Sequence, residues 1–216
     1  MSDTVEFAYD LIRKYISSLQ NPVIFELGMC NGDSTEMLLS WCNSQPIYHG
    51  FEPDPRNVAR ISTSNLPQRI IFNSSAVGHV TGSIPFYMAT PEPGNDIAGS
   101  SSISEFTHVL TDCWPWLKCQ ETVDVWCWRL DDYCKVHKIS HIDFIWMDVQ
   151  GSERFVFDGA PIMLSKTKMV WTEYDGGTLY KDSSTIKDVL ARFPGWSVEA
   201  DCGGDVLLKN PLQITL

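Results

Sequence analysis

Apolar positions along the chain switch repeatedly between helical and strand-like spacing, and the order of the switches predicts an architecture. Val5, Ala8, Tyr9, Ile12, Tyr15, Ile16 and Leu19 recur at helical intervals until Asn21-Pro22 interrupts them, so an amphipathic helix leads the chain. "PVIFELG" follows as a short, largely apolar run ending in glycine, the pattern of a buried strand. Asp33 stands three residues before Glu36, a capping-box arrangement expected to open a helix through Met37, Leu38 and Trp41. "IYHGFEPDP" predicts the next strand, with Asp54 as N-cap and Pro55 in the first helical position after it. "RIIFNSSAVG" reads as a third strand.

From about Gly78 to His141 the regular alternation breaks. "GSIPFYMAT" predicts one strand of a hairpin, and "TPEPGNDIAGSSSISEF" is a Gly-, Pro- and Ser-rich stretch with few apolar anchors. Compact domains rarely carry so long a loop without a use, and it reads as a lid or substrate loop. "TVDVWCWRLDDYCKVH" alternates Val123, Val125 and Cys127 before a short helix after Leu130. "HIDFIWMDVQG" and "KMVWTEYD" read as buried strands flanking a helical segment interrupted at Gly159-Ala160-Pro161. Ile186, Val189, Leu190 and Phe193 form a helical stripe ended by Pro194, and "WSVEADCGGDVLLKN" places two strand-like arms around Cys202-Gly203-Gly204, a hairpin signal. The sum is an α/β chain. A parallel sheet with helices on both faces precedes an antiparallel hairpin, and ligands are expected at the carboxyl ends of the strands. A single domain is expected over 1–216, with an insertion at about 78–141 acting as lid or acceptor-binding region.

Composition narrows the partners. With 44% hydrophobic and 20% charged residues, the 216-residue chain can bury a sizeable core. Sixteen Lys and Arg face 27 Asp and Glu, a formal charge of −11, and no basic run exceeds two residues. No nucleic-acid partner is therefore expected, and a cationic ligand is tolerated better than a polyanion. The N-terminal segment has early acids and no h-region, and no stretch approaches a membrane span, so a cytoplasmic protein without a membrane partner is expected. Seven cysteines without a C-x-x-C pair read as reduced thiols, with no zinc site.

The turn "FELGMCNGDST" carries the chemistry. A dinucleotide fingerprint G-x-G-x-x-G counted from Gly28 meets Cys30 and Asp33 where glycines are required. Asp33 would also set a carboxylate where a pyrophosphate should rest. What remains is Glu26, Gly28 and Gly32, with Glu52 at the end of the second strand, 24 residues beyond Gly28. S-adenosylmethionine fits that set. It has no phosphates, so the glycine turn need only bring the protein backbone close to it, a carboxylate can meet its ammonium, and Glu52 can accept both ribose hydroxyls.

"FELGMCNGDST", "GFEPDP", "NSSAVG", "LDDY", "IDFIWMDVQGSE" and "WTEYD" together resemble the FkbM-family methyltransferases, in order and spacing, from about Val23 to Asp175. The terminal hairpin resembles the sixth and seventh strands of the wider class, which implies a Rossmann-like seven-stranded methyltransferase sheet. The resemblance implies S-adenosylmethionine-dependent O-methylation of a small molecule or sugar. Carried onto this chain, Glu26, Gly28 and Gly32, with Asn31 and Ser34 of the same turn, would hold the methionine part. Glu52 would hold the ribose, Ser75 and Ala76 would border the adenine, and Asp148 would close the site. The chain departs from the family at Cys30, where Asn is common, at Trp146, where Lys is common, and at Gln150, where Glu is common.

Asp148, after a buried strand, is the first candidate for general base or for orienting the acceptor; Glu173, ending "MVWTE", is the second. A Mg²⁺-assisted variant would join Asp148 to Glu173, Asp175 or Glu153, but no spacing requires it and no metal is predicted. His79, His108, His137 and His141 read as loop or surface residues, Trp126 and Trp128 as packing, and Cys30 as a small packing residue. Two other readings compete. One is a cofactor-binding protein of the same fold that has lost transfer activity, motivated by Cys30, Trp146 and Gln150. The other is an NAD-linked oxidoreductase, which the glycine spacing disfavours.

Overall fold

The computed structural model describes residues 3–63, 70–91, 93–94 and 99–213. Helix α1 (Asp3–Ser18) leads into β1 (Val23–Leu27), α2 (Asp33–Ser40), β2 (Ile47–Phe51), α3 (Pro55–Thr63) and β3 (Ile70–Asn73). An interlude follows, with β4 (Ala76–Val77), β5 (Gly82–Ala89), α4 (His108–Cys113) and β6 (Cys119–Trp128). The alternation then resumes with α5 (Leu130–Val136), β7 (Ile142–Met147), α6 (Glu153–Asp158), α7 (Pro161–Leu164), β8 (Thr167–Glu173) and α8 (Ile186–Arg192). Strands β9 (Ser197–Asp201) and β10 (Asp205–Lys209) and a short 3₁₀ turn finish it. Arg69 of the expected third strand, and Glu92 and 95–98 of the expected loop, lie outside the described residues.

One sheet takes the order β3-β2-β1-β7-β8-β10-β9. Strands β3, β2, β1, β7 and β8 are mutually parallel, and β10 runs antiparallel to both β8 and β9. This is the expected parallel sheet with a terminal antiparallel hairpin. Strands β1 and β7 are buried along their whole length, which explains why they read as apolar runs rather than alternations. Their side chains divide by parity. Ile24 and Phe144 meet Ala8 and Ile12 of α1 and Leu38 of α2 on one face. Phe25 and Ile145 meet Leu130 of α5, Val156 of α6 and Val189 of α8 on the other. Among the described residues no helix is long and apolar enough to cross a membrane.

A second sheet, β4-β6-β5, is built by the interlude. The expected third strand therefore divides. Asn73 bonds the carbonyls of Gly50 and Ile71 through its side chain, and the Ser75 amide folds back onto the Asn73 carbonyl, so Ala76-Val77 leaves to pair with β6. The partner of β5 is β6, across a long connection at 90–118 rather than a tight hairpin turn. The expected capping box at Asp33 also fails. Gly32, at φ 90°, is the N-cap of α2 without a side-chain bond, and Asp33 lies inside the helix, accepting from Asn31 Nδ2 at 2.8 Å. A reciprocal capping box does form between Thr185 and Asp188 at the start of α8.

The sheet reverses its order of construction beside β1, between β2 and β7. Leu27 registers with Phe51 and with Met147, so the next residues, Gly28, Glu52 and Asp148, emerge together at one carboxyl edge. That is the position where open α/β sheets bind ligands.

Candidate active site

Gly28 adopts φ 89°, and a Cβ there would stand 1.9 Å from the Asp148 carbonyl oxygen. The turn after β1 and the end of β7 thus meet backbone to backbone, tied by the Asp148 amide on the Leu27 carbonyl at 3.0 Å. Only glycine permits both the left-handed conformation and that approach. The chain then turns at Cys30, φ 51°, whose amide donates to Glu52 Oε2 at 2.7 Å. Glu52 Oε1 accepts from the Asp54 amide at 2.8 Å and from Asn57 Nδ2 at 3.4 Å. Burial pushes Glu52 up to about 7 even though these donors favour its charged form.

Arg56 closes the next layer. Its guanidinium grips the Asp54 carboxylate, reaches the Ala89 carbonyl at 2.9 Å, and contacts Ser101 at 3.2 Å. Burial opposes ionisation of Asp54, but the bonds from Arg56 and Ser101 outweigh it and hold the carboxyl below its ordinary value. Helix α3 is thereby fastened to the second sheet and to the loop ahead of Ser102, and that loop becomes part of a cavity wall.

A cavity opens at this carboxyl edge of the sheet, the place where α/β folds hold small ligands. It brings together five residues singled out by sequence: Gly28, Glu52, Ser75, Ala76 and Asp148. Glu26, Asn31, Gly32 and Ser34 stand outside its wall. Glu26 is fully buried on the α1–α2 face, where Thr35 and Tyr48 both donate to Oε2 while Oε1 has no partner. Burial pushes its pKa up to about 7. Cys30, Asn57, Phe86 and Ile103 join the wall without having been anticipated as site residues. The Ser75 hydroxyl is buried and unpartnered, an orphan polar group on this wall.

A second cavity, of about 260 Å³, adjoins the first. Glu173, Glu153 and Tyr180 line it together with Trp114 and Trp116 of the interlude, and Gln150 lines both cavities. Gln150 holds φ 54°, donates from Nε2 to Asp148 Oδ1 at 2.6 Å and to Glu173 Oε2 at 3.3 Å, and accepts from the Tyr180 hydroxyl at 3.0 Å. Burial, reinforced by Asp148, Glu153 and Asp205, pushes Glu173 up to about 10. Asp148 is exposed where it opens onto the cavity, and the protein crowded around its carboxyl raises its pKa too. Asp148 is the more exposed of the two and takes the shorter bond from Gln150, so it is the member of the pair that ionises more readily. Among the described residues no three His, Cys, Asp or Glu side chains converge to hold a metal ion.

His79, His108, His137 and His141 line neither cavity. Trp126 and Trp128 pack edge to face, whereas Trp146 and Trp171 stack at 5.5 Å inside the core. All seven cysteines carry reduced thiols.

The sheet order, the terminal antiparallel hairpin and a cavity at the β1–β2 edge define a Rossmann-like methyltransferase fold. Residues 26–203 match the family described as the methyltransferase FkbM domain, and the chain belongs to that family. It is 32% identical over 209 residues to 2-O-methyltransferase NoeI of Sinorhizobium fredii (strain NBRC 101917 / NGR234), covering 92% of this chain and 84% of NoeI. The crystal structure of methyltransferase FkbM from Methylobacillus flagellatus KT aligns with 89% of this chain at a TM-score of 0.53 and 16% identity. This chain spans 44% of the length of that protein, and the likeness is one of fold.

Proposed function

We propose that this chain transfers a methyl group from S-adenosylmethionine to a hydroxyl of a small molecule or sugar. The observation that carries the reading is the junction of the two cavities, where Asp148 faces the first, Glu173 lines the second, and Gln150 borders both. The first cavity suits this donor. Glu52 offers carboxylate oxygens for vicinal ribose hydroxyls, and the orphan Ser75 hydroxyl with Ala76 offers a border for the adenine. Among its described lining residues no Lys, Arg or His awaits a phosphate, which disfavours a dinucleotide. Gly28 borders the methionine part directly, while Glu26, Asn31, Gly32 and Ser34 shape the turn from outside the wall.

Bound S-adenosylmethionine would supply an electrophilic methyl group on a good leaving group. Positioning by the chain contributes most to such a displacement, up to about 7–11 kcal/mol. Asp148 takes the proton from the acceptor hydroxyl, a step that adds about 10²- to 10⁴-fold in rate. Gln150 orients that carboxylate through its 2.6 Å bond, and Glu173, which keeps its own proton, orients the acceptor. The interlude at about 78–141 supplies the acceptor-binding region. The relative named a 2-O-methyltransferase supports oxygen as the acceptor atom.

Thermal shifts with S-adenosylmethionine, its demethylated product and NAD test the cofactor, and turnover on a panel of hydroxylated acceptors tests the reaction. Stabilisation by the first two and not by NAD is expected, with Asp148→Asn lowering turnover about 10²- to 10⁴-fold. Failure of both methionine-derived ligands to bind would overturn the proposal. The competing reading, a binder that has lost transfer, draws on Trp146, which sits in the core where the family commonly has a lysine. Binding without turnover on any acceptor would favour it.

A further inference from the structure

The second cavity has a wall that cofactor binding does not explain. Three separate segments build it: the interlude gives Leu110, Trp114, Trp116 and Leu117, the β7–α6 turn gives Gln150 and Glu153, and the residues after β8 give Tyr174 to Tyr180. The segments are clamped before any ligand arrives. Leu110, Leu117 and Tyr180 are almost fully buried in a small core of their own, with Ala89 and Phe106. Backbone bonds from Thr107 to Leu179 at 3.1 Å and from Lys181 to Glu105 at 2.9 Å join the interlude to the segment after β8. Against this fixed base Trp114 stays 43% exposed at the cavity wall, so its indole is open to a ligand there.

The ionisable groups of the wall are all acidic. Gln150, Glu153, Glu173 and Asp175 offer amide and carboxyl groups, and no Lys, Arg or His is among the described lining residues. A carboxylate, phosphate or sulfate on a ligand would find no counter-charge here and would face several acids. A ring polyol presents the complementary surface: an apolar C–H face for the indoles and a rim of hydroxyls for amide and carboxyl partners. Resting on the methyl-transfer reading above, we infer that the second cavity is the acceptor site and takes a neutral sugar ring without an anionic substituent. Burial, which pushes Glu153 up to about 8 and Glu173 up to about 10, keeps both carboxyls able to donate to such hydroxyls near neutral pH. Gln150 sets the floor where the acceptor hydroxyl meets Asp148.

The test uses the full chain with S-adenosylmethionine and matched pairs of methyl hexopyranosides and methyl hexopyranosiduronates, together with Trp114→Ala and Trp114→Phe. The neutral glycoside should be the better substrate, with kcat/KM at least about tenfold above that of its uronate, because a carboxylate would lose water on entering a wall that offers no basic partner. Loss of the Trp114 face should raise KM for the glycoside about 2- to 12-fold, the equivalent of one aromatic face, with kcat and the affinity for S-adenosylhomocysteine unchanged. Trp114→Phe should restore most of the loss, and an unchanged melting temperature would show that the exposed ring was not needed for folding. A uronate methylated as well as its neutral partner, or a KM indifferent to Trp114, would overturn the acceptor assignment while leaving methyl transfer intact. A wild-type protein that does not bind S-adenosylhomocysteine would instead remove the underlying reading, and this inference with it.

Discussion

Replacing Glu52 separates its service to the fold from its service to the ligand. Glu52→Ala is too blunt. It would orphan the Cys30 and Asp54 amides, which donate to the carboxylate at 2.7 and 2.8 Å. At about 1–3 kcal/mol for each buried unsatisfied donor, the loss consumes much of a typical folding stability of about 5–15 kcal/mol. Glu52→Gln keeps the shape and one acceptor oxygen, and sets an NH₂ against only one of the two amides. Stability should then fall by about 1–3 kcal/mol, or about 2–12 °C in melting temperature for a chain of this size. One charge-assisted bond to a ribose hydroxyl is lost as well, about 1.5–3 kcal/mol, which predicts about 10- to 150-fold weaker binding of S-adenosylhomocysteine. At a ligand concentration about 100 times the wild-type Kd, ligand stabilisation should drop from about 2.7 kcal/mol to about 0.3–1.4 kcal/mol. The assay is a melting curve of each protein with and without ligand, with calorimetric Kd as a check. If the apo variant melts lower but its ligand-induced shift equals that of wild type, Glu52 serves only the fold and the ribose has been misplaced.

Gly28→Ala should be strongly destabilising, by about 3 kcal/mol or more, because its Cβ would stand 1.9 Å from the Asp148 carbonyl at a left-handed φ; chemical denaturation with an unchanged midpoint would contradict this. Burial raises Glu26 and Glu52 to about 7 and Glu153 to about 8, so the stability tied to their protonated forms is full below the ordinary value of 4.5 and is lost as pH rises through 7 and 8. The ligand-free protein should accordingly melt higher at pH 5 than at pH 8, and a flat or rising profile would show these carboxyls to be better solvated than their burial implies. Arg56→Ala should weaken cofactor binding through the loop it holds at Ser101 and Ala89, without touching the cavity wall itself; equal affinity in titration calorimetry would show that the loop is held by other contacts. Gln150→Glu should shift the acidic limb of the kcat/KM profile to higher pH by adding a carboxyl beside Asp148 and Glu173, whereas an unmoved limb would exclude Asp148 as the titrating base.

Local pattern carried the main sheet because each central strand is buried on both faces and so reads as a short apolar run between turn residues. It carried the edge of the site for a related reason. Gly28, Glu52 and Asp148 each follow directly on such a strand, so a reader who finds the strands also finds their ends. What pattern could not carry was pairing. The two residues Ala76-Val77 look like the tail of β3 and become a strand of another sheet, a choice made by β6 more than 40 residues on. Phe86, Ile103 and Ser101 reach the first cavity only through that second sheet, and nothing in their own neighbourhood signals it. Asn57 was closer to legible, since a polar residue on the first turn of α3 lies near the strand end that Glu52 occupies. Asp33 misled because its spacing to Glu36 satisfies a capping box, while a left-handed turn at Cys30 and Gly32 moves the helix start by one residue.

Trp146 and Gln150, the two departures from the family pattern on β7 and just beyond it, act on opposite sides of Asp148. Trp146 turns inward, stacking on Trp171 and meeting Tyr9 of α1 edge on, so the strand that presents Asp148 is pinned by aromatic packing where a lysine would need solvent or a counter-ion. Gln150 turns outward and supplies what a glutamate could not supply when charged, one NH₂ group bonded to both Asp148 and Glu173, while its oxygen accepts from Tyr180. A third carboxyl in that place would force another proton into an already crowded set of acids. The neutral amide lets one acid of the pair ionise while the other keeps its proton, the division of labour that the proposed hydroxyl methylation would ask of them. Loss of the usual residues at these positions is therefore compatible with a working site that has redistributed its charge, and binding without turnover is not required by them.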